Sequence, residues 1–152
     1  MKAYPQQYIG GEWRTGAGEA ELTDRNPYTG EILYTYRSAG KKDLDDAYRA
    51  AADAQKDWAA TTPAHKRAML EGLADAIRAA KDDVYACMIE EGGSTRPKAD
   101  FEFFTSIDIV KEAMSFPFMM DGKILPSNIP GKENYIYKTP KGVVGAIAPW
   151  NV

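Results

Sequence analysis

One cysteine, one histidine, a pair of glycines and an asparagine near the C-terminal end are the residues through which this chain could do chemistry. Cys87 could be a thiolate nucleophile, which requires an electropositive and partly exposed setting. It falls instead in an expected helix beside Val84 and Met88, with no glycine-rich turn or histidine near it, and reads as a buried structural thiol. His65 lies in the first turn after Pro63 and is the sole histidine, so no two-histidine metal site can be built; it reads as exposed and inert. Gly142 and Gly145 lack the G-x-G-x-x-G spacing of a phosphate-binding turn, and a strand with close backbone approach is the better reading. Asn151 follows Pro149-Trp150; taken alone, its type and position are those of a turn residue after a strand.

These residues must be positioned by their elements. Tyr8-Ile9, Gly10-Gly11 and Glu12-Trp13-Arg14 spell a hairpin, and Asn26-Pro27-Tyr28-Thr29-Gly30 a turn before an extended segment over 31–37. From Lys41 the period becomes helical: Leu44, Ala47, Tyr48, Ala51, Ala54, Gln55 and Trp58 recur at steps of three or four. Thr62-Pro63 restarts a helix with a capping hydroxyl and a proline at its first position. That second helix carries Lys66, Met69, Leu70, Leu73, Ala76, Ile77 and Ala80 on one stripe. A third, from about Asp82, stops at Gly92-Gly93, and a fourth opens at Pro97 and ends at Pro117. Its spacing places Phe103 and Phe104 in the core, whereas Phe116 to Met120 suits a tunnel wall or an interface. The charged group Lys41-Lys42-Asp43 with Asp45-Asp46 reads as a solvated helix start.

Residues 122–134 suit an exposed connection, and Tyr135-Ile136-Tyr137 a short strand. Val143 to Ala148 is an apolar run without alternation, the pattern of a strand covered on both faces in a parallel α/β sheet. Such a strand needs neighbours, and a parallel neighbour needs a crossover of a dozen or more residues. No partner strand follows in these 152 residues, which points to part of a longer α/β protein.

Composition sets the wider limits. With 44% hydrophobic and 27% charged residues and a net charge of −3, the chain has no basic excess for nucleic acid. No stretch approaches the ~20 apolar residues of a membrane span, and the first residues lack the apolar run of a signal peptide. A lone cysteine fits a reducing, cytoplasmic setting.

In this order, the segments resemble the aldehyde dehydrogenase superfamily. Thr139-Pro140-Lys141-Gly142-Val143-Val144-Gly145-Ala146-Ile147-Ala148-Pro149-Trp150-Asn151 is similar to the family's P-x-G-V-V-G-x-I-x-P-W-N segment. Tyr8 to Trp13 resembles its opening strand, Asn26 to Glu31 its N-P-x-T-G-E turn, and Asp43 to Trp58 its alanine-rich first helix, with Arg67 matching an arginine of the next. Glu91-Gly92-Gly93-Ser94-Thr95 with Lys98, Ala99 and Glu102 resembles its E-x-G segment and the following helix. The run from Gly92 to Glu102 is similar to the benzaldehyde/vanillin dehydrogenase-like branch, implying aromatic aldehydes.

The resemblance implies an NAD- or NADP-dependent oxidation of aldehydes to acids through a cysteine thiohemiacetal. It gives Asn151 the role of an oxyanion donor and places Ala148, Pro149 and Trp150 along the cofactor cleft. The family's catalytic cysteine, glutamate base, pyrophosphate turn and ribose-binding residues lie beyond the matching segment, so this stretch by itself is expected to be inactive. The implied fold is the N-terminal part of a Rossmann-like α/β architecture. Residues 1–120 are expected to form part of the nucleotide domain, 121–140 a linker with oligomerisation strands, and 141–152 the first core strand. A homo-oligomer, a dimer or tetramer in the complete protein, is expected, because Tyr135 to Tyr137 would be an open edge. The reading from another class is a non-catalytic helical interaction module derived from the same family.

Overall fold

The structure, a computed structural model, describes residues 4–148. Its N-terminal quarter, up to Arg37, is extended. Strands β1 (Gln7–Ile9) and β2 (Glu12–Arg14) pair antiparallel across Gly10-Gly11, the hairpin expected there. β3 (Glu21–Arg25) pairs with β4 (Ile32–Arg37) in register Leu22 to Tyr36 and Asp24 to Tyr34. The turn between them is closed by Asn26, whose Oδ1 accepts the backbone N–H groups of Tyr28 (2.9 Å) and Thr29 (3.1 Å). Asparagine favours this arrangement because its short amide mimics a backbone turn.

Four helices follow: α1 (Lys41–Ala60), α2 (Pro63–Ala79), α3 (Lys81–Glu90) and α4 (Arg96–Ala113). Thr62 caps α2 by accepting the backbone N–H of His65 at 3.2 Å. The start of α1 is held differently. Asp43 is only 5% exposed, and its Oδ2 accepts the backbone N–H of Gly40 at 2.9 Å and of Ala17 at 2.7 Å. One carboxylate thus caps a helix and ties it to the loop after β2. Those two N–H donors, Gly40 first and Ala17 second, hold the Asp43 carboxyl below its ordinary range. The expected solvated helix start is correct for Lys41, Lys42 and Asp45 but not for Asp43.

The core lies between α3 and α4. Tyr85, Ala99, Phe103 and Ile107 are buried, with Ile77, Val84, Met88 and Ile89 packed against them. The Tyr85 and Phe103 rings meet edge to face at 5.3 Å. Around this apolar centre sits a polar clamp: the Tyr85 hydroxyl donates to Asp100 at 2.6 Å, and the Arg96 guanidinium lies 4.5 Å over the Tyr85 ring. The same arginine reaches Asp100 at 3.3 Å. Phe104, expected in the core, is instead 53% exposed; its ring packs edge-on against Phe103 and meets α3 only through the Lys81 ammonium, 5.4 Å from its centroid. Helical spacing puts adjacent residues about 100° apart, so only one of the two can enter the apolar core.

Gly93 joins the extended part to this helical layer. Its φ is +64°, a Cβ there would lie 2.7 Å from Pro27 Cγ, and its carbonyl accepts the Tyr28 hydroxyl at 2.8 Å. Only a glycine suits both demands.

After α4 come a 3-10 turn (Phe116–Met119) and a ribbon of β5 (Lys123–Leu125) and β6 (Asn134–Ile136). The expected connection therefore contains a strand, β5, and the strand expected over 135–137 begins one residue earlier. All three sheets are two-stranded among the described residues. No described helix is long and apolar enough to cross a membrane.

Two outcomes check this account. Phe103→Ala lowers the unfolding free energy by about 3–5 kcal/mol in urea titration, whereas Phe104→Ala costs about 1 kcal/mol or less. Because the folded carboxyl of Asp43 is depressed, its contribution is present above the ordinary aspartate pKa and is lost as pH falls through the folded value. Asp43→Asn therefore lowers Tm at pH 7 and flattens the loss of Tm that the native chain shows between about pH 5 and pH 3.

Candidate functional site

The segment leading to the expected site begins at Gly142, whose φ of +93° turns the chain after Pro140. From there residues 143–148 run without helix or strand assignment. The strand expected over this range does not form, because among the described residues no neighbouring strand takes up its backbone N–H and C=O groups. What the segment has on one side is α1. Leu44, Ala47, Tyr48 and Ala51 line a shallow apolar groove with Val143 to Ile147. Gly145 is the point of closest approach: a Cβ built there would lie 2.2 Å from the Tyr48 hydroxyl oxygen. The close approach expected of a glycine in this run is thus present, directed at a side chain.

The other side of the segment is bare. Val144 is 74% and Ile147 97% exposed. Ala148 is exposed at the end of the described chain. Pro149, Trp150 and Asn151, the remaining candidates for cofactor binding and oxyanion donation, lie outside the described residues. Residues 143–147 thus lie beside α1 and leave an apolar face and, among the described residues, an unused hydrogen-bonding edge.

Cys87 belongs to a different place. It is half-buried on α3 in a cleft lined by Asp24, Met88, Glu91, Ser94, Lys98 and Glu102. Burial first, and then the Glu91 carboxylate, push its thiol above the ordinary value. A raised pKa leaves little thiolate, so the cleft suppresses nucleophilic character. Burial and Glu91 also raise the Tyr34 hydroxyl on β4. Asp24 and Tyr34 were not singled out from sequence; their facing positions in the β3–β4 ladder become visible only once that register is known. Lys98 is paired with Glu102 one helical turn on.

His65 is exposed on the first turn of α2. No group of three His, Cys, Asp or Glu side chains among the described residues is arranged to hold a metal ion. Phe116, Phe118, Met119 and Met120, expected in a tunnel wall or an interface, are all exposed.

The family model for the aldehyde dehydrogenase family matches residues 13–152. A benzaldehyde dehydrogenase of Bacillus subtilis is 47% identical over 146 residues, covering 96% of this chain and 30% of that protein. A vanillin dehydrogenase of Corynebacterium glutamicum is 42% identical over 143 residues, covering 94% and 30%. Among solved structures, an NAD-dependent benzaldehyde dehydrogenase from Corynebacterium glutamicum superposes with a TM-score of 0.85 at 38% identity, over 90% of this chain and 30% of that one. The chain thus spans about 30% of the length of the curated relatives it matches.

The thiol account has a direct check. At pH 8, Cys87 in the folded chain reacts with iodoacetamide about tenfold or more slowly than free cysteine, and Glu91→Gln raises the rate. A rate above that of free cysteine would contradict it.

Proposed function

The chain belongs to the aldehyde dehydrogenase family, and from that membership we propose that it supplies the N-terminal part of an NAD(P)-dependent oxidation of aldehydes to carboxylic acids. The observation that carries this reading is the segment 143–148, apolar, unpaired and laid against α1, leading directly to Pro149-Trp150-Asn151. In an α/β protein, ligand sites gather where such strands end.

Asn151 is the catalytic residue of the proposal. Its side-chain amide is a neutral donor with two N–H groups, which can be aimed at an oxygen as negative charge develops on it. A fixed donor of this kind acts mainly in the transition state, because the aldehyde oxygen carries less charge before attack than after it. Ala148, Pro149 and Trp150 form part of the wall beside the cofactor. Residues 144–148 are exposed, and Ala146 and Ala148 set only small side chains in the way of a ligand there. NAD or NADP, when bound, accepts the hydride removed from the substrate carbon.

Aromatic aldehydes are the substrate class we assign, supported by the benzaldehyde and vanillin dehydrogenases at 47% and 42% identity. Residues 1–120 and 141–152 are assigned to the nucleotide-binding part, and 121–140 to a linker and oligomerisation ribbon. In that ribbon Ile124, Tyr135 and Ile136 are exposed on strands with open edges, with Tyr137 exposed just beyond β6, which favours pairing with another copy. The protein is placed in the cytoplasm, and its partners are the aldehyde, the dinucleotide and copies of itself.

The test is a covalent chimera in which this chain replaces the matching segment of the Bacillus subtilis benzaldehyde dehydrogenase. With benzaldehyde, the chimera forms reduced cofactor, and Asn151→Ala lowers kcat by about 10²–10³ with little change in cofactor affinity. A folded, oligomeric chimera without turnover would contradict the reading, and an unchanged kcat in the variant would remove Asn151 from the chemistry.

A further inference from the structure

Helices α2 and α3 are joined by a single residue, Ala80, which ends the one and begins the other. Alanine cannot cap, and no side chain caps the start of α3. The far end is tied better: Ser94 donates its backbone N–H to the Met88 carbonyl at 2.9 Å, and the Tyr28 hydroxyl donates to that of Gly93 at 2.8 Å. A helix of 10 residues is marginal by itself, so the seating of its beginning depends on tertiary contacts. Lys81, the first residue of α3, supplies one. Its ammonium lies 5.3 Å from the centroid of the Tyr85 ring one turn on, and 5.8 and 5.4 Å from those of Phe103 and Phe104 on α4. A cation in the first turn opposes the helix dipole, and among the described residues no carboxylate lies within ion-pair distance of this one. The charge is met by three aromatic rings, each within the ~6 Å over which a ring attracts a cation. Arg96, 4.5 Å over Tyr85, belongs to α4 and pairs with Asp100, so Lys81 is the cation by which the α2–α3 corner itself reaches α4.

We propose that Lys81 is a charge-operated latch: its ammonium, held over Tyr85, Phe103 and Phe104, keeps α3 seated on α4, and removing the charge lets α3 open as a unit and uncover the Cys87 thiol. Cys87 lies on the same helix, half-buried in the cleft with Asp24, Glu91 and Ser94, and that cleft exists only while α3 is in place. With only about three turns, α3 has no separate half to leave behind when its start comes free. Phe104 gains a role that its 53% exposure does not suggest: it completes the set of rings around Lys81 without entering the core. The latch therefore links a surface ammonium to the covering of a thiol that lies in a different cleft.

The experiment measures amide hydrogen exchange and the alkylation of Cys87 by iodoacetamide in the chain and its variants. Lys81→Met keeps the apolar stem of the side chain and removes the charge, whereas Lys81→Arg keeps a cation that rings attract. In Lys81→Met, exchange over 84–89 and alkylation of Cys87 both rise by about five- to tenfold, and Lys81→Arg stays within about twofold of the native chain. Phe104→Leu raises both by about two- to threefold, and the double variant falls short of the product of the two because both remove the same contact. Lys111→Met, elsewhere on α4, changes neither rate. Lys81→Gln replaces Lys81→Met if the latter has lost its melting transition. The proposal is overturned if Lys81→Met leaves both rates unchanged, if Lys81→Arg behaves like Lys81→Met, or if the effects of Lys81→Met and Phe104→Leu simply multiply. It is also overturned if faster exchange is confined to Val84 and Tyr85 with Cys87 unchanged, which is fraying of a helix end. An equal rise over 100–110 overturns it too, as a loss of global stability.

Discussion

A polypeptide that runs extended must place its N–H and C=O groups with some partner, and residues 143–148 have none among the described residues. Water can satisfy those groups but cannot cover Val144 and Ile147. The segment has an apolar side chain on nearly every position, which is unsuited to an exposed loop and suited to a sheet flanked on both faces. One of those faces is present as α1, and the contact is close enough for Gly145 to meet the Tyr48 hydroxyl. The proposed chemistry depends on this half-built arrangement, because Asn151 can be aimed only as well as the strand before it is fixed. An amide donor shifted by an ångström loses most of its value to a developing charge.

The rest of the chain has the means to hold that half in readiness. Asp43 fixes the start of α1 to the loop after β2 through two backbone N–H groups, and Gly93 locks the first turn motif to the end of α3. The Arg96–Asp100–Tyr85 clamp then sets α3 against α4. None of these interactions involves residues 141–148. The consequence is a division of labour: α2, α3 and α4 supply stability, and α1 supplies a surface. Cys87 sits within the stabilising half, where burial and a neighbouring carboxylate suppress the reactivity its residue type would allow.

The helices were legible in the sequence because their ends carry strong local signals. Thr62-Pro63, Gly92-Gly93 and Pro97 act through backbone sterics that tertiary contacts seldom override, whereas Pro117, expected to end α4, lies inside the 3-10 turn after α4 has already ended at Ala113. β3 was not legible, since Glu21-Leu22-Thr23-Asp24-Arg25 is mostly polar and owes its pairing to β4 and the Asn26 turn. Phe104 was misplaced because periodicity defines a stripe but not which edge of it meets a neighbour. The Asp24–Tyr34–Glu91 surroundings of Cys87 are non-local and emerge only from the fold. The motif around Asn151 was readable through its family resemblance alone, as the same residue without that context is an ordinary turn asparagine.

Amide hydrogen exchange on the chain by itself bears most directly on the separation between the helical core and the unpaired segment 143–148. The account predicts strong protection for amides over 84–89 and 100–110, and exchange close to that of an unstructured peptide over 143–148. Protection of 143–148 comparable to that of α4 would show that this segment has found hydrogen-bonding partners within the chain, and would contradict the account.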